Sequence, residues 1–267
     1  MANNGMYAIV TGGSSGMGLE YVRQLAQRGY NVVIAALPGT VEPVAADMKA
    51  QCPDIDFIPV GINLACEDSA EELLAEVERQ RPGAVIDVLV NNAGVIHINH
   101  FRGMKTSHVQ MELMLHNLTT SKLCHLLLPA MQERGRGYVL NISSLAAWLP
   151  FPFISTYCAT KSYNRQLTRA LRTEYWKTGV KIATIYFGAV DTPLYKLSDG
   201  KRKLARCLGV MITPQKAVRK ALRMLFAGRS GWMPGLVNKI AYVVCPLLPR
   251  PLVSWIDRTV SRKLDIQ

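Results

Sequence analysis

Tyr157-Cys158-Ala159-Thr160-Lys161 places a phenol and an ammonium four residues apart. On a helix, positions i and i+4 share a face, so the lysine sits beside the tyrosine ring. A tyrosine starts near a pKa of ~10, and a neighbouring cation favours its ionised form. Such a phenol gives a proton to a carbonyl oxygen during reduction, or takes one from an alcohol during oxidation. The spacing alone is common and usually structural, so its context decides. Ser144 closes the run Asn141-Ile142-Ser143-Ser144, 13 residues before Tyr157. Its hydroxyl is placed to hold a substrate oxygen as charge develops there. Ser143 is the alternative, but neighbours on a strand point to opposite faces.

A second group of residues is built for phosphate. Thr11-Gly12-Gly13-Ser14-Ser15-Gly16-Met17-Gly18 joins a short apolar strand to a helix. Gly12 permits a sharp turn, and Gly16 and Gly18 let a pyrophosphate approach the backbone. The helix start offers unpaired N–H groups and the positive end of its dipole. Metal chemistry has no such support, because the six cysteines show neither a C-x-x-C pair nor a ligand spacing. They read as free thiols of a reducing cytosol. The N-terminus lacks the basic and apolar stretches of a secretory signal.

Strand-like and helix-like stretches alternate around these groups. Strands are predicted at 7–11, 31–36, 55–60, 85–91, 137–143 and 181–187, and helices at 18–28, 41–51, 69–79, 107–134 and 156–178. Near-continuous apolar strands separated by helices imply a parallel sheet covered on both faces. Right-handed crossovers then give a single-domain α/β fold, a Rossmann-type doubly wound parallel sheet. One domain over 1–267 is expected, because no linker, repeat or low-complexity tract interrupts the chain. Residues 1–188 form the dinucleotide-binding and catalytic core, and 189–267 a substrate loop and a basic, apolar extension. Within the latter, Thr213 and Pro214 open a clear helix.

Together with Asn91-Asn92-Ala93-Gly94 at the end of the fourth strand, these motifs resemble the classical short-chain dehydrogenase/reductase family. The resemblance covers about residues 6–195, with the motifs in the family's order and spacing. It implies an NAD(P)-dependent oxidoreductase that moves a hydride between a nicotinamide and a carbonyl or secondary alcohol. Ser144, Tyr157 and Lys161 match the catalytic triad, and Asn117 matches the fourth position, which supports a water-linked proton path. Tyr157 and Lys161 also border the cofactor, the lysine bonding the nicotinamide ribose. Gly12, Ser14, Ser15, Gly16, Met17 and Gly18 match the phosphate loop. Asn63, Asn91, Ala93 and Gly94 match further cofactor-lining positions, as do Val190 and Thr192. The family also implies a homo-oligomer, built through the helices at 107–134 and 156–178.

Three departures bear on the cofactor. The second strand ends Ala35-Ala36-Leu37-Pro38, with neither the acid that favours NAD nor an arginine for a 2′-phosphate. The absence of a repelling acid leans toward NADP. Asn63 replaces the usual aspartate, although its carbonyl still accepts from an adenine amino group. Phe187-Gly188 replaces the usual Pro-Gly and leaves the roles of Val190 and Thr192 open.

The apolar run Leu145–Ile154 borders the site and suggests a lipophilic substrate, such as a steroid, bile acid or 3-oxoacyl chain. Packing beneath the loop is the equal alternative. His97 and His100 lie near the same rim and read more readily as loop residues. The net charge of +12 falls wholly in residues 196–267. It is compatible with a solvated basic face or, with the apolar tail around Trp232–Trp255, with a peripheral membrane contact. No nucleic-acid module accompanies it. A nucleotide-sensing or scaffold protein of the same fold is the competing reading, disfavoured because Tyr157 and Lys161 are both present.

Overall fold

A computed structural model describes residues 5–149, 151–190 and 211–232, together with Pro249 and Pro251. Thr192 and the apolar tail beyond Trp232, apart from those two prolines, lie outside the described residues.

Alternation of strand and helix holds throughout. The chain runs β1 (Tyr7–Thr11), α1 (Gly16–Ala26), β2 (Asn31–Ala36), α2 (Glu42–Gln51), β3 (Phe57–Gly61), α3 (Ser69–Gln80) and β4 (Ile86–Asn91). It continues through α4 (Thr106–Leu113), a π turn (Met114–Leu118), α5 (Thr119–Glu133), β5 (Gly137–Ser144), α6 (Ser155–Glu174) and β6 (Val180–Phe187). Short strands β7 (Ala189–Val190) and β8 (Met211–Ile212), helix α7 (Pro214–Phe226) and strand β9 (Gly231–Trp232) complete it. The helix expected over 107–134 is therefore broken in phase at Met114–Leu118 by a π turn. Pro214 occupies the first turn of α7 as expected, although Thr213 makes no side-chain cap.

The sheet has seven strands in the order β3-β2-β1-β4-β5-β6-β9. Every pairing within it is parallel. Each strand divides its apolar residues between two cores, because alternate side chains face opposite ways. Ala8 and Val10 of β1 and Val32 and Ile34 of β2 join Tyr21, Leu25, Met48 and Leu222 on one face. Ile9, Val33 and Ala35 join Leu73, Leu123, Leu128 and Met131 on the other. Helices α1, α2 and α7 thus cover one face, and α3 and α5 the other. The chain leaves β1 toward β2 and β3, then returns to pair β4 on the opposite side of β1. Such a reversal of strand order opens a crevice at the carboxyl ends of the strands.

Among the described residues, two basic side chains of α7 lie opposite basic side chains of α1. Arg219 and Arg223 face Arg23 and Arg28 of α1 around a cavity of about 590 Å³. Arg28 donates to the Gln24 carbonyl near the end of α1, where cations offset the helix dipole. Cys52, Cys66, Cys124 and Cys158 are free thiols. No helix among the described residues is long and apolar enough to cross a membrane.

Candidate active site

The glycine loop follows β1 directly, and Gly12 turns the chain with a φ of 66°. At Gly18 a Cβ would collide with the Gly12 carbonyl and would stand 2.8 Å from Asn92 Nδ2. Only glycine lets α1 start this close to β1. Ser15, at the N-cap of α1, makes no side-chain cap, so the first-turn N–H groups remain available to an anion.

These residues border a cavity of about 680 Å³. Gly12, Ser14, Ser15, Gly16, Met17 and Gly18 line one wall, and Ala36, Leu37 and Thr40 of the β2 end line another. Asn63, Asn92, Ala93 and Gly94 also border it, and among the described residues no charged side chain lines it. A bare backbone cradle at a helix start, opening onto a cavity with no charged lining among the described residues, fits a dinucleotide. Asn63 accepts Ala65 N–H at 3.1 Å, which uses one lone pair of the carbonyl expected to meet an adenine.

The sequence reading named Asn91, but the structure brings its neighbour to the cavity. Asn91 is buried and donates to Asn141 Oδ1 at 2.8 Å, cross-linking β4 to β5. Asn92 reaches back to the Thr11 carbonyl at 2.9 Å. Thr11 Oγ1 accepts from Asn92 N–H at 2.9 Å and Ala93 N–H at 3.0 Å, and donates to the Val90 carbonyl. One hydroxyl therefore ties the glycine loop to the end of β4. Thr11→Val leaves Ala93 N–H without that acceptor, while Asn92 N–H keeps the Val90 carbonyl at 3.0 Å, and a stability loss of about 1–3 kcal/mol in urea unfolding is expected.

Four elements converge at the catalytic rim. β5 ends at Ser144, whose Oγ accepts Ala146 N–H at 3.2 Å and opens a 3-10 turn. Ser143 is instead buried and donates to the Lys161 carbonyl, as opposite faces of a strand require. Helix α6 carries Tyr157 and Lys161 on one face, with the ammonium 5.5 Å from the phenol ring centroid. Lys161 is 4% exposed and donates to the Ile142 carbonyl at 3.1 Å. Burial pulls its pKa down to about 8, against an upward pull from Glu112. Asn117 lies in the π turn, where its backbone carbonyl accepts from Ser121 Oγ and its buried Oδ1 has no partner among the described residues. Val190 is buried in β7.

Two residues at this rim were not singled out from sequence. His116 is 1% exposed; its Nε2 accepts Val95 N–H at 3.0 Å and its Nδ1 lies 2.9 Å from Thr160 Oγ1. An accepting Nε2 fixes the proton on Nδ1, which donates to Thr160. Thr160 in turn donates to the Tyr157 carbonyl at 2.8 Å. Burial first, then Lys161 and His97, holds the imidazole pKa well below its usual range, so the ring is neutral. Glu112 is fully buried and accepts from His97 N–H at 3.0 Å, with His97 Nδ1 at 3.1 Å from the same oxygen. A glutamate and a histidine one helical turn apart carry no motif in sequence, so only the fold reveals them.

The apolar run after Ser144 divides. Leu145, Ala146, Ala147 and Leu149 pack inward, whereas Phe151, Phe153 and Ile154 are half-buried. Asn99 N–H donates to the Phe153 carbonyl, and His100 meets the Phe153 ring edge-on at 4.9 Å. His100 thus contributes to a wall shared by two loops.

The chain is similar to known proteins in sequence and in fold. The family described as short chain dehydrogenase matches residues 6–202. A very-long-chain 3-oxoacyl-CoA reductase of Mycosarcoma maydis is 28% identical over 252 residues, spanning 93% of this chain and 68% of the relative. A short-chain dehydrogenase from Sphingobium yanoikuyae in complex with NADPH superposes with a TM-score of 0.74 at 24% identity, covering 86% of this chain and 88% of that one. L-Sorbose reductase from Gluconobacter frateurii, complexed with NADPH and L-sorbose, gives 0.76 at 22% identity over 88% and 96% of the two chains.

Proposed function

Because the chain belongs to the short-chain dehydrogenase family, we propose that this oxidoreductase reduces the ketone of a lipophilic substrate, of 3-oxoacyl or steroid-like shape, with NADPH. The observation that carries this reading is the Tyr157–Lys161 face of α6, a helix packed against the β5 end that carries Ser144. The matched reductase of Mycosarcoma maydis supports the 3-oxoacyl class. The half-buried Phe151, Phe153 and Ile154 support an apolar acyl or ring system.

The glycine loop and the first turn of α1 would hold the pyrophosphate of a nicotinamide dinucleotide, and Asn63 would border its adenine. When bound, the nicotinamide dinucleotide supplies the hydride. Ser144 Oγ and Tyr157 Oη grip the carbonyl oxygen, and Tyr157 passes its proton to that oxygen. The Lys161 ammonium stabilises the phenolate left behind. Asn117 supports return of the proton to Tyr157 through Lys161 and water. The preference for NADPH rests on the uncharged end of β2, where Ala36 and Leu37 line the cavity without an acid to repel a 2′-phosphate.

Exposed Leu126 on α5 and Tyr163 on α6 support association of two copies through those helices. A peripheral membrane contact through the C-terminal extension and a cytoplasmic site of action remain part of the same reading. Liposome retention of the purified protein at low salt tests the contact, and its absence removes it.

Fluorescence titration with NADPH and with NADH, followed by a panel of keto-steroids, keto-bile acids and 3-oxoacyl thioesters, tests the whole reading. Tighter binding of NADPH and turnover of one ketone class are the expected results. Binding without turnover of any ketone overturns the substrate class. Failure to bind either coenzyme overturns the role of the glycine loop.

A further inference from the structure

Helices α1 and α7 face each other across a cavity of about 590 Å³ that ketone reduction does not use. On α7, Gln215, Arg219 and Arg223 recur every fourth residue and so share one face. On α1, Glu20, Gln24 and Arg28 do the same, with Arg23 beside them. Gln24 is buried and joins the two stripes, since its Nε2 donates to the Gln215 carbonyl at 3.1 Å. Four guanidinium groups therefore border one cavity, with a single carboxylate among them. No described residue lines both this cavity and the coenzyme crevice.

That carboxylate is engaged within α1. Glu20 Oε2 accepts from Arg23 Nη1 at 2.8 Å, and Glu20 Oε1 from Gln24 Nε2 at 2.7 Å. Among the described residues no carboxylate lies within ion-pair distance of Arg28, Arg219 or Arg223. Arg28 has one acceptor, the Gln24 carbonyl at 2.7 Å, where a cation also offsets the dipole of α1. Arg219 stands in the middle of α7, away from its carbonyl end, so a helix dipole does not account for it. Arg219 and Arg223 repel each other at i and i+4. They also act on Arg28, whose pKa is lowered by burial first and then by these two neighbours. Other described arginines are matched: Arg79 with Glu76, Arg81 with Asp56 and Arg136 with Asp87. A merely solvated face gains nothing by gathering unmatched cations around a concavity, because spreading them apart lowers the repulsion. An anion seated between the two helices removes that repulsion and accepts their N–H groups.

We propose that the cavity between α1 and α7 is a binding site for a ligand carrying two or more phosphate groups. Arg28 reaches it from one helix, and Arg219 and Arg223 from the other. Each guanidinium presents a planar fork of donors that fits two phosphate oxygens. One phosphate monoester carries a charge of about −1.5 to −2 at neutral pH, less than the three cations offer, so a second phosphate completes the match. The volume suits a small molecule or a headgroup. Gln27 and Gln215, both exposed at its edge, add amide groups that can bond the rest of the ligand. This chemistry belongs equally to a soluble diphosphate ester and to the headgroup of a polyphosphorylated lipid. The glycine loop lies at the opposite end of α1, so the site stands whether or not the chain reduces a ketone.

Isothermal titration with inorganic pyrophosphate at constant ionic strength tests the site, with saturating NADPH and without it. The wild type is expected to bind pyrophosphate under both conditions, and Arg219→Gln/Arg223→Gln to bind it about tenfold more weakly or worse. Both positions are exposed and glutamine is close to arginine in helix propensity, so α7 keeps its fold. Arg219→Lys/Arg223→Lys keeps the charges and loses the forks, and is expected to fall between the two. Equal affinity in the wild type and the glutamine variant overturns the proposal. Disappearance of all binding under NADPH also overturns it, because the anion then sits at the glycine loop. If NADPH does not bind, the comparison of variants still decides. Phosphatidylcholine vesicles with and without phosphatidylinositol 4,5-bisphosphate separate the two sources. Retention that requires the bisphosphate and falls in the glutamine variant assigns the headgroup. Pyrophosphate binding without such retention assigns a soluble ligand. Absence of both overturns the site.

Discussion

Tyr157→Phe is expected to lower kcat for ketone reduction by about 10³-fold while leaving the coenzyme dissociation constant within about threefold of the wild type. The substitution removes one oxygen. The ring keeps its edge contact with His116, 5.7 Å between centroids, and the Tyr157 carbonyl keeps its bond from Thr160. Lys161 keeps its bond to the Ile142 carbonyl, and the glycine loop lies on a different element. Binding and folding are thus insulated from the lost hydroxyl, whereas the proton it passes has no substitute at the substrate oxygen. Steady-state kinetics with the best ketone, beside a fluorescence titration of coenzyme, separates the two effects. Activity near the wild-type level rules out Tyr157 as the acid.

Gly18→Ala is expected to have the opposite profile, striking binding and stability together. Its new methyl would meet the Gly12 carbonyl and carbonyl carbon, and also the Asn92 amide at 2.8 Å. These are backbone atoms and a side chain already bonded to the Thr11 carbonyl, so none can swing aside. Relief requires α1 to move away from β1, which disturbs the packing of Tyr21, Val22 and Leu25 on the sheet. A loss of about 3 kcal/mol follows from overpacking of this kind. Displacement of the first turn also spoils the anion cradle, and coenzyme affinity falls by about tenfold or more. Urea unfolding and coenzyme titration measure both. A variant with wild-type stability and affinity shows that the loop has more room than its geometry allows.

The sequence made Tyr157, Lys161 and the glycine loop visible because each is a local pattern whose meaning survives without the rest of the fold. Helix faces and turn glycines are set by neighbours in the chain. The doubly wound parallel sheet was accessible for a similar reason, since alternating apolar strands and helices leave few ways to close a sheet. Asn91 and Asn92 show where this ends. Both occupy the right segment, but one faces Asn141 inside the sheet and the other the cavity. That choice depends on where β4 stops and the chain turns, which a repeated residue type cannot reveal. Glu112 was invisible for another reason. A glutamate on a helix reads as a solvated face until the burying partner is known, and that partner is a loop residue 15 positions earlier. The apolar run after Ser144 was ambiguous in composition, and the fold divides it between core and rim.

The π turn at Met114–Leu118 carries a consequence for how the chain tolerates change. Each residue of a regular helix advances about 100° around the axis. A π turn contains one residue more than the regular spiral, so α4 and α5 are two segments of one rod in different rotational phase. Ahead of it Glu112, and within it His116, aim at the strip after β4. Beyond it, Leu123, Leu128 and Met131 aim at the sheet. A single-residue deletion inside the turn would restore the regular spiral and put the two segments in step. The catalytic and core-packing faces could not then both meet their partners. This short stretch is therefore a place where substitution is tolerated more readily than a change in length.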